Sequence, residues 1–251
     1  MDRICVVLLV VSSCNAFLTG STLYKTSSVL ARRPCSTRRC PNMTFSFSKQ
    51  RGSVEVDNSS EKCPVLICPA QLGVAKDYLS MVSELNARGF PAYGADLTRL
   101  GWITGLLPSA ISPDYWTGNL TPDKTLKFYF EGMDRTMEII NENHPGQGLH
   151  IVGHSIGGWV ARAWLAETCS PEDQARVLTL TTLGTPNNPP PENGGPWAAL
   201  DQTRGLLKDL NRRFPGAYVD SVAYTSVVGT ALKGKFPGRL EEMLAFVCYL
   251  P

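Results

Sequence analysis

Ser155 stands in Gly153-His154-Ser155-Ile156-Gly157, between the apolar run LHIVG and an amphipathic run that reads as a helix to about Thr168. Glycines two residues before and two after a serine let a strand turn abruptly into a helix, holding the hydroxyl in a strained, exposed position. Gly153, His154 and Gly157 are therefore read as the turn and Ser155 as a nucleophile. Gly158 extends the tight packing. The competing reading is the glycine-rich turn of a nucleotide-binding sheet, but no G-x-G-x-x-G and no Walker lysine follow. A serine hydroxyl attacks an ester only with a base to take its proton.

Acyl transfer also needs donors where the oxyanion forms, normally the backbone N–H after the nucleophile and one from the loop after an earlier strand. Ile156 supplies the first. CPAQLG (68–73) supplies the second, with Gln71 first in line and Leu72 next; a plain surface turn is the alternative for that loop.

The elements that would position these groups alternate along the chain. PVLIC (64–68) reads as a buried strand, and KDYLSMVSELNARGF as a helix with Leu79, Val82 and Leu85 on one face. FPAYGAD (90–96) is the next strand, and residues 97–121 read as a long loop carrying Trp102, Leu106, Leu107, Tyr115 and Trp116. Thr121-Pro122-Asp123 opens a helix whose stripe is Leu126, Phe130, Met133, Met137 and Ile140, and His144-Pro145-Gly146 closes it. LHIVG, RVLTLTTLG (176–184) and SVAYTSVVG (221–229) complete the strands. This alternation predicts an α/β fold with a doubly wound, mostly parallel sheet, with no internal repeat.

Taken together, GHSIGGWVAR, LGTPNNPPP, DQTRGLL, DLTRLGW and PDYWTGNLTP resemble the lipase-like α/β-hydrolases of plant, algal and cyanobacterial plastid lineages over about residues 62–230. The resemblance implies an α/β-hydrolase fold, Ser155 as nucleophile and an acyl ester substrate. Asn187 departs from it, since many lipase relatives have histidine after the GTP turn; that position is not usually the catalytic base.

In that fold the triad runs Ser, then Asp or Glu, then His. The only histidines here are His144, His150 and His154, and none follows Ser155. His144 and His150 flank the start of the nucleophile strand, at the sheet edge opposite the site; five residues at about 3.3 Å each put His150 about 15 Å from Ser155. His154 reads as a core histidine packed against the sheet. The resemblance places the triad acid and base after the strand at 221–229, which implies that both are absent from these 251 residues, and EEMLAFVCYLP breaks off in mid-pattern. The expectation is an incomplete gene model, with the last strand and helix missing, rather than a genuinely truncated protein.

Before the domain, Met1-Asp2-Arg3 precedes the apolar run ICVVLLVVSSCNA, which reads as a signal peptide over 1–16, too short to span a membrane. Residues 17–52 carry no acid, seven basic residues and many Ser and Thr, the composition of a transit peptide. A signal followed by such a segment opening on Phe17 resembles the bipartite plastid leader of algae with secondary plastids; an ordinary secretory signal with a basic tail is the alternative. Secretion would make the sequons at Asn42, Asn58 and Asn119 relevant. Residues 1–52 hold 8 Lys/Arg and 1 acid, leaving 16 basic against 21 acidic residues in 53–251. A domain near −5 gives no nucleic-acid footprint. Its cysteines, Cys63, Cys68, Cys169 and Cys248, show neither metal-ligand spacing nor a disulfide framework, and no cofactor is implied.

The combined expectation is a plastid serine ester hydrolase, an α/β-hydrolase domain over 53–251 acting on a small-molecule acyl ester or lipid, with peripheral membrane contact. Two other readings remain: a hydrolase-like module that binds an apolar ligand or partner without catalysis, and an acyltransferase using the same nucleophile.

Overall fold

The structure, a computed structural model, describes residues 62–189, 201–229, 235–240 and 242–243. The leader read at 1–16 and 17–52, and Cys248, lie outside the described residues.

Within them one parallel sheet is built from β1 (Val65–Cys68), β2 (Ala92–Gly94), β3 (Leu149–His154), β4 (Val177–Leu183) and β5 (Ala223–Val227), in the order β2-β1-β3-β4-β5. The doubly wound α/β fold expected from the strand and helix alternation is the one observed. Leu149 and Ile151 of β3 enter the main core with Leu66, Leu180, Trp159 and Trp164, while Val152 joins a second cluster around Val65, Ile67 and Ala92 on the other face. Each β1 residue is buried because helices cover both faces of the sheet there.

Between β1 and β2, a 3-10 turn (Ala75–Tyr78) leads into α1 (Leu79–Ala87). The segment read as a long loop is instead α2 (Arg99–Ala110) and α3 (Pro113–Thr117). Gly101, Gly105 and Pro108 argue against a helix locally, but packing overrides them. The Thr98 hydroxyl caps α2 through the Gly101 N–H, and Trp102 is 1 % exposed. α3 is capped by Ser112, which accepts from the Tyr115 N–H, and ends on left-handed Gly118.

The helix expected from Thr121 is divided at Leu126 into α4 (Pro122–Thr125) and α5 (Lys127–Asn143). Thr121 occupies the cap position, yet its hydroxyl makes no capping bond and is buried without a partner among the described residues. The stripe of Leu126, Phe130, Met133, Met137 and Ile140 is buried throughout. After α6 (Ile156–Glu167), the sequence reading had left α7 (Pro171–Arg176) and α8 (Leu206–Arg213) unassigned.

Candidate active site

The chain leaves β1 for β2 on one side, while β3 lies on the other. The carboxyl ends of β1 and β3 therefore flank the switch point, where open α/β sheets bind ligands. Ser155 sits there as the single residue between β3 and α6, with φ 53° and ψ −125°. A non-glycine residue at positive φ is strained and must be held by its surroundings. Its N–H donates to the Leu183 carbonyl at 2.9 Å, and its own carbonyl accepts the Thr185 hydroxyl at 2.7 Å. Both anchors come from the end of β4.

The glycines of the pentapeptide are dictated by backbone contact. A Cβ on Gly153 would lie 2.4 Å from the Gly158 Cα, and one on Gly158 would lie 2.3 Å from the Thr185 hydroxyl. Gly157 presses against β1, where a Cβ would fall 2.2 Å from the Cys68 carbonyl oxygen and 2.6 Å from that of Pro69. This contact sets the first turn of α6 beside the loop that follows β1. The Ile156 N–H, first in the helix, has no intrahelical partner.

That loop, 69–74, is fastened from three directions. The Tyr129 hydroxyl donates to the Pro69 carbonyl at 2.7 Å. The Ala70 N–H donates to the Tyr78 hydroxyl at 2.8 Å, and the Trp102 indole N–H donates to the Gly73 carbonyl at 2.8 Å. Leu72 takes φ 59°, a second strained non-glycine residue, and Gln71 is exposed with no described residue accepting from its N–H. Ile156 and the Gln71–Leu72 turn are thus brought to one corner of the molecule. None of the three fastening side chains was assigned to the site from sequence, although Trp102 had been noted.

Residues 64–214 match the alpha/beta hydrolase fold family. The chain belongs to that family. A GPI inositol-deacylase of Debaryomyces hansenii is 26 % identical over 135 residues, which cover 49 % of this chain and 12 % of the yeast protein. The chain therefore spans about an eighth of the length of that curated relative. Among solved structures, an extracellular alpha/beta-hydrolase from a Paenibacillus species is 15 % identical with a TM-score of 0.30, over 51 % of this chain and 43 % of its own. A cutinase-like protein from Cryptococcus sp. is 14 % identical with a TM-score of 0.35, over 65 % and 75 % respectively.

In this alpha/beta hydrolase chain each histidine is engaged away from the Ser155 hydroxyl. His144 pairs its Nε2 with the Tyr93 hydroxyl at 2.9 Å, and the His150 Nδ1 meets the Thr179 hydroxyl at 2.8 Å. Both lie at the amino end of β3, as the sequence placed them.

His154 was expected in the core and is instead exposed. It alternates with Gly153, so its ring points to the second face of the sheet, beyond Val152, where Tyr78 flanks it edge-to-face. The Tyr78 hydroxyl lies 2.8 Å from the His154 Nδ1. Burial pushes the Tyr78 phenol up to about 12 and pulls the His154 pKa below its usual 6.5. The phenol oxygen accepts from the Ala70 N–H, and its hydrogen bond with the His154 Nδ1 takes the direction set by the imidazole tautomer. His154 braces the β1 loop through Tyr78.

Proposed function

We propose that this chain carries the nucleophile and the oxyanion donors of a serine ester hydrolase acting on an apolar acyl ester, with none of its three histidines serving as the base. Ser155 attacks the acyl carbonyl as a base other than these histidines takes its hydroxyl proton and passes it to the departing alcohol, and the Ile156 and Gln71 N–H groups receive the oxyanion. The alcohol leaves, and water then releases the acid from the acylated serine. The observation that carries the reading is Ser155 held at φ 53° between β3 and α6, opposite the fastened loop after β1. The inositol-deacylase relative supports an ester linked to a lipid, and membership of the family supports hydrolysis.

Leu100, Ile103, Leu107 and Ile111 form one exposed stripe along α2, with Trp116 exposed nearby. α2 follows the carboxyl end of β2, on the Ser155 edge of the sheet. This stripe supports peripheral contact with a lipid surface; no helix among the described residues is long and apolar enough to cross a membrane.

A second reading is favoured by the histidines, all of which are engaged elsewhere: a module that keeps the hydrolase scaffold and binds an apolar ligand without turning it over. A fluorophosphonate probe separates the two, with imidazole added as an external base. Labelling that disappears in Ser155→Ala supports the nucleophile. Equal labelling of both proteins overturns it, and absence of labelling in both favours the binding module.

For residues 1–52 we propose delivery to a plastid through the secretory pathway. A fluorescent reporter fused to them should reach the plastid and be impaired by Phe17→Ala. Secretion of the reporter would refute this.

A further inference from the structure

Away from Ser155, a cavity of about 250 Å³ opens between α6, α8 and the β4–β5 face of the sheet. Its wall includes Arg162, Thr182, Asn187, Asn188, Tyr224 and Ser226, and no Asp or Glu among the described residues lines it. Thr182 and Ser226 are register partners on adjacent strands, as are Leu180 and Tyr224, so the sheet side of the cavity runs from buried Leu180 and Thr182 out to exposed Ser226 at the rim.

Arg162 dominates the cavity electrostatically. It is 8 % exposed, and no carboxylate pairs with it among the described residues. Only its Nη2 is engaged, donating to the Asn211 side-chain oxygen at 3.0 Å and to the Phe214 carbonyl at 3.4 Å. Both acceptors lie at the carboxyl end of α8, whose dipole partly offsets the charge and fixes the plane of the guanidinium. The Nε and Nη1 edges meet no acceptor among the described residues. Burial pulls the Arg162 pKa down.

A buried charge without a counter-charge is costly, and buried polar groups are otherwise satisfied almost everywhere. Other arginines of this fold are paired with carboxylates: Arg213 meets Asp209 at 2.8 Å and Glu167, and Arg176 meets Asp173 at 3.6 Å. Around Arg162 the walls instead add donors. Asn188 contributes an amide, the Asn187 amide donates only at long range to the Thr185 carbonyl (3.4 Å) and the Ser226 hydroxyl oxygen (3.5 Å), and Ser226 also accepts the Thr182 hydroxyl at 3.0 Å, with its own proton donated to no described residue. Tyr224 stays protonated, because burial raises its pKa.

We propose that this cavity is a binding site for a tetrahedral oxyanion, a phosphate or the phosphoryl group of a small organic ligand, held by the free edge of the Arg162 guanidinium with Asn187 and Ser226. A planar guanidinium with two free parallel donors matches two oxygens of such a group. The site is independent of Ser155. It communicates with that region structurally, since Asn187 follows the Gly184-Thr185 turn that anchors the Ser155 backbone.

The test is isothermal titration of the full chain with inorganic phosphate at constant ionic strength set by chloride. Saturable one-site binding is expected. Arg162→Met should weaken it about tenfold or more, and Arg162→Lys less, because lysine keeps the charge and loses the two-donor edge. Asn187→Leu and Ser226→Ala, both at the cavity rim, should each weaken binding with an unchanged melting temperature, and they carry the test if Arg162→Met does not fold. A parallel titration with glycerol 3-phosphate separates the sources: tighter binding than inorganic phosphate assigns the site to a phosphorylated organic ligand, and weaker binding to free phosphate. The proposal is overturned by an absence of saturation. Binding that survives in Arg162→Met, or in both rim variants, means an adventitious ion only and also overturns it.

Discussion

Gly157 and Cys68 touch backbone to backbone: the helix that begins at Ile156 approaches the end of β1 so closely that a methyl group on Gly157 would lie 2.2 Å from the Cys68 carbonyl oxygen. The contact sets the first N–H groups of α6 beside the loop that begins at Pro69.

Gly157→Ala is accordingly expected to destabilise the fold. In an exposed helix the change would gain about 1 kcal/mol of propensity. Here the added carbon meets two backbone oxygens that cannot rotate away, and overpacking of this kind costs about 1–3 kcal/mol, occasionally more. Urea unfolding of the two proteins decides the sign, and a higher midpoint for the variant would refute the contact.

Trp102→Phe tests how the β1 loop is held. Phenylalanine keeps most of the packing against Phe128 and Tyr129 but loses the donor to the Gly73 carbonyl. A loss of about 1 kcal/mol is expected from one hydrogen bond, with faster amide exchange confined to residues 70–74. Unchanged exchange there would show that the indole N–H does not restrain the loop.

These contacts also mark how far the sequence could be read. The Ser155 turn was legible because its glycines, its strand and its helix are contiguous, and the strand and helix alternation followed from periodicity within each segment. The fastening of the β1 loop joins Tyr129 to Pro69 across 60 residues and Trp102 to Gly73 across 29, and no local pattern announces such pairs. α2 was hidden for a related reason. Gly105 reads as a helix breaker, yet it is glycine because the Phe128 ring lies where its side chain would be, 2.3 Å from a Cβ. The side chain of His154 was misplaced because its neighbour Tyr78, and not the sheet alone, decides where the ring rests.

The exposed stripe on α2 gives a membrane prediction. Ile103→Asp with Leu107→Asp should reduce co-flotation with liposomes of zwitterionic lipid, while leaving the melting temperature nearly unchanged, since both side chains are exposed. Equal flotation of variant and parent would remove the case for lipid contact through this face.

Acid sensitivity should trace partly to His150 and His154. Burial lowers both pKa values from 6.5, so below that pH the unfolded chain binds protons more readily than the folded one. Their contribution to stability is therefore complete above about pH 6.5 and is lost as the pH falls. Asp134 and Glu167 act oppositely and lower on the scale: burial raises them from 3.8 and 4.5, which favours the fold in acid and weakens it as the pH rises through that range. The urea midpoint should fall between pH 7.5 and 5.5, and fall less in His150→Gln/His154→Gln. Parallel declines would assign the sensitivity elsewhere.

The 251-residue chain itself is expected to lack esterase activity. His144 and His150 are held at the far edge of β3 by Tyr93 and Thr179, and five residue steps of extended strand keep His150 about 15 Å from Ser155. His154 is adjacent in sequence, but its ring turns to the second face of the sheet and its Nδ1 meets Tyr78. No imidazole can therefore take the Ser155 proton, and loss of that base costs about a millionfold in kcat in a serine protease. Residues 53–251 and the same protein carrying Ser155→Ala should hydrolyse a short-chain p-nitrophenyl ester at one common background rate. Added imidazole should raise only the serine protein above its own chemical blank, if the Ser155 hydroxyl and the proposed oxyanion donors act as set out above. Robust turnover without imidazole, abolished by Ser155→Ala, would mean that a base exists among these residues, and His154 would be the first to re-examine.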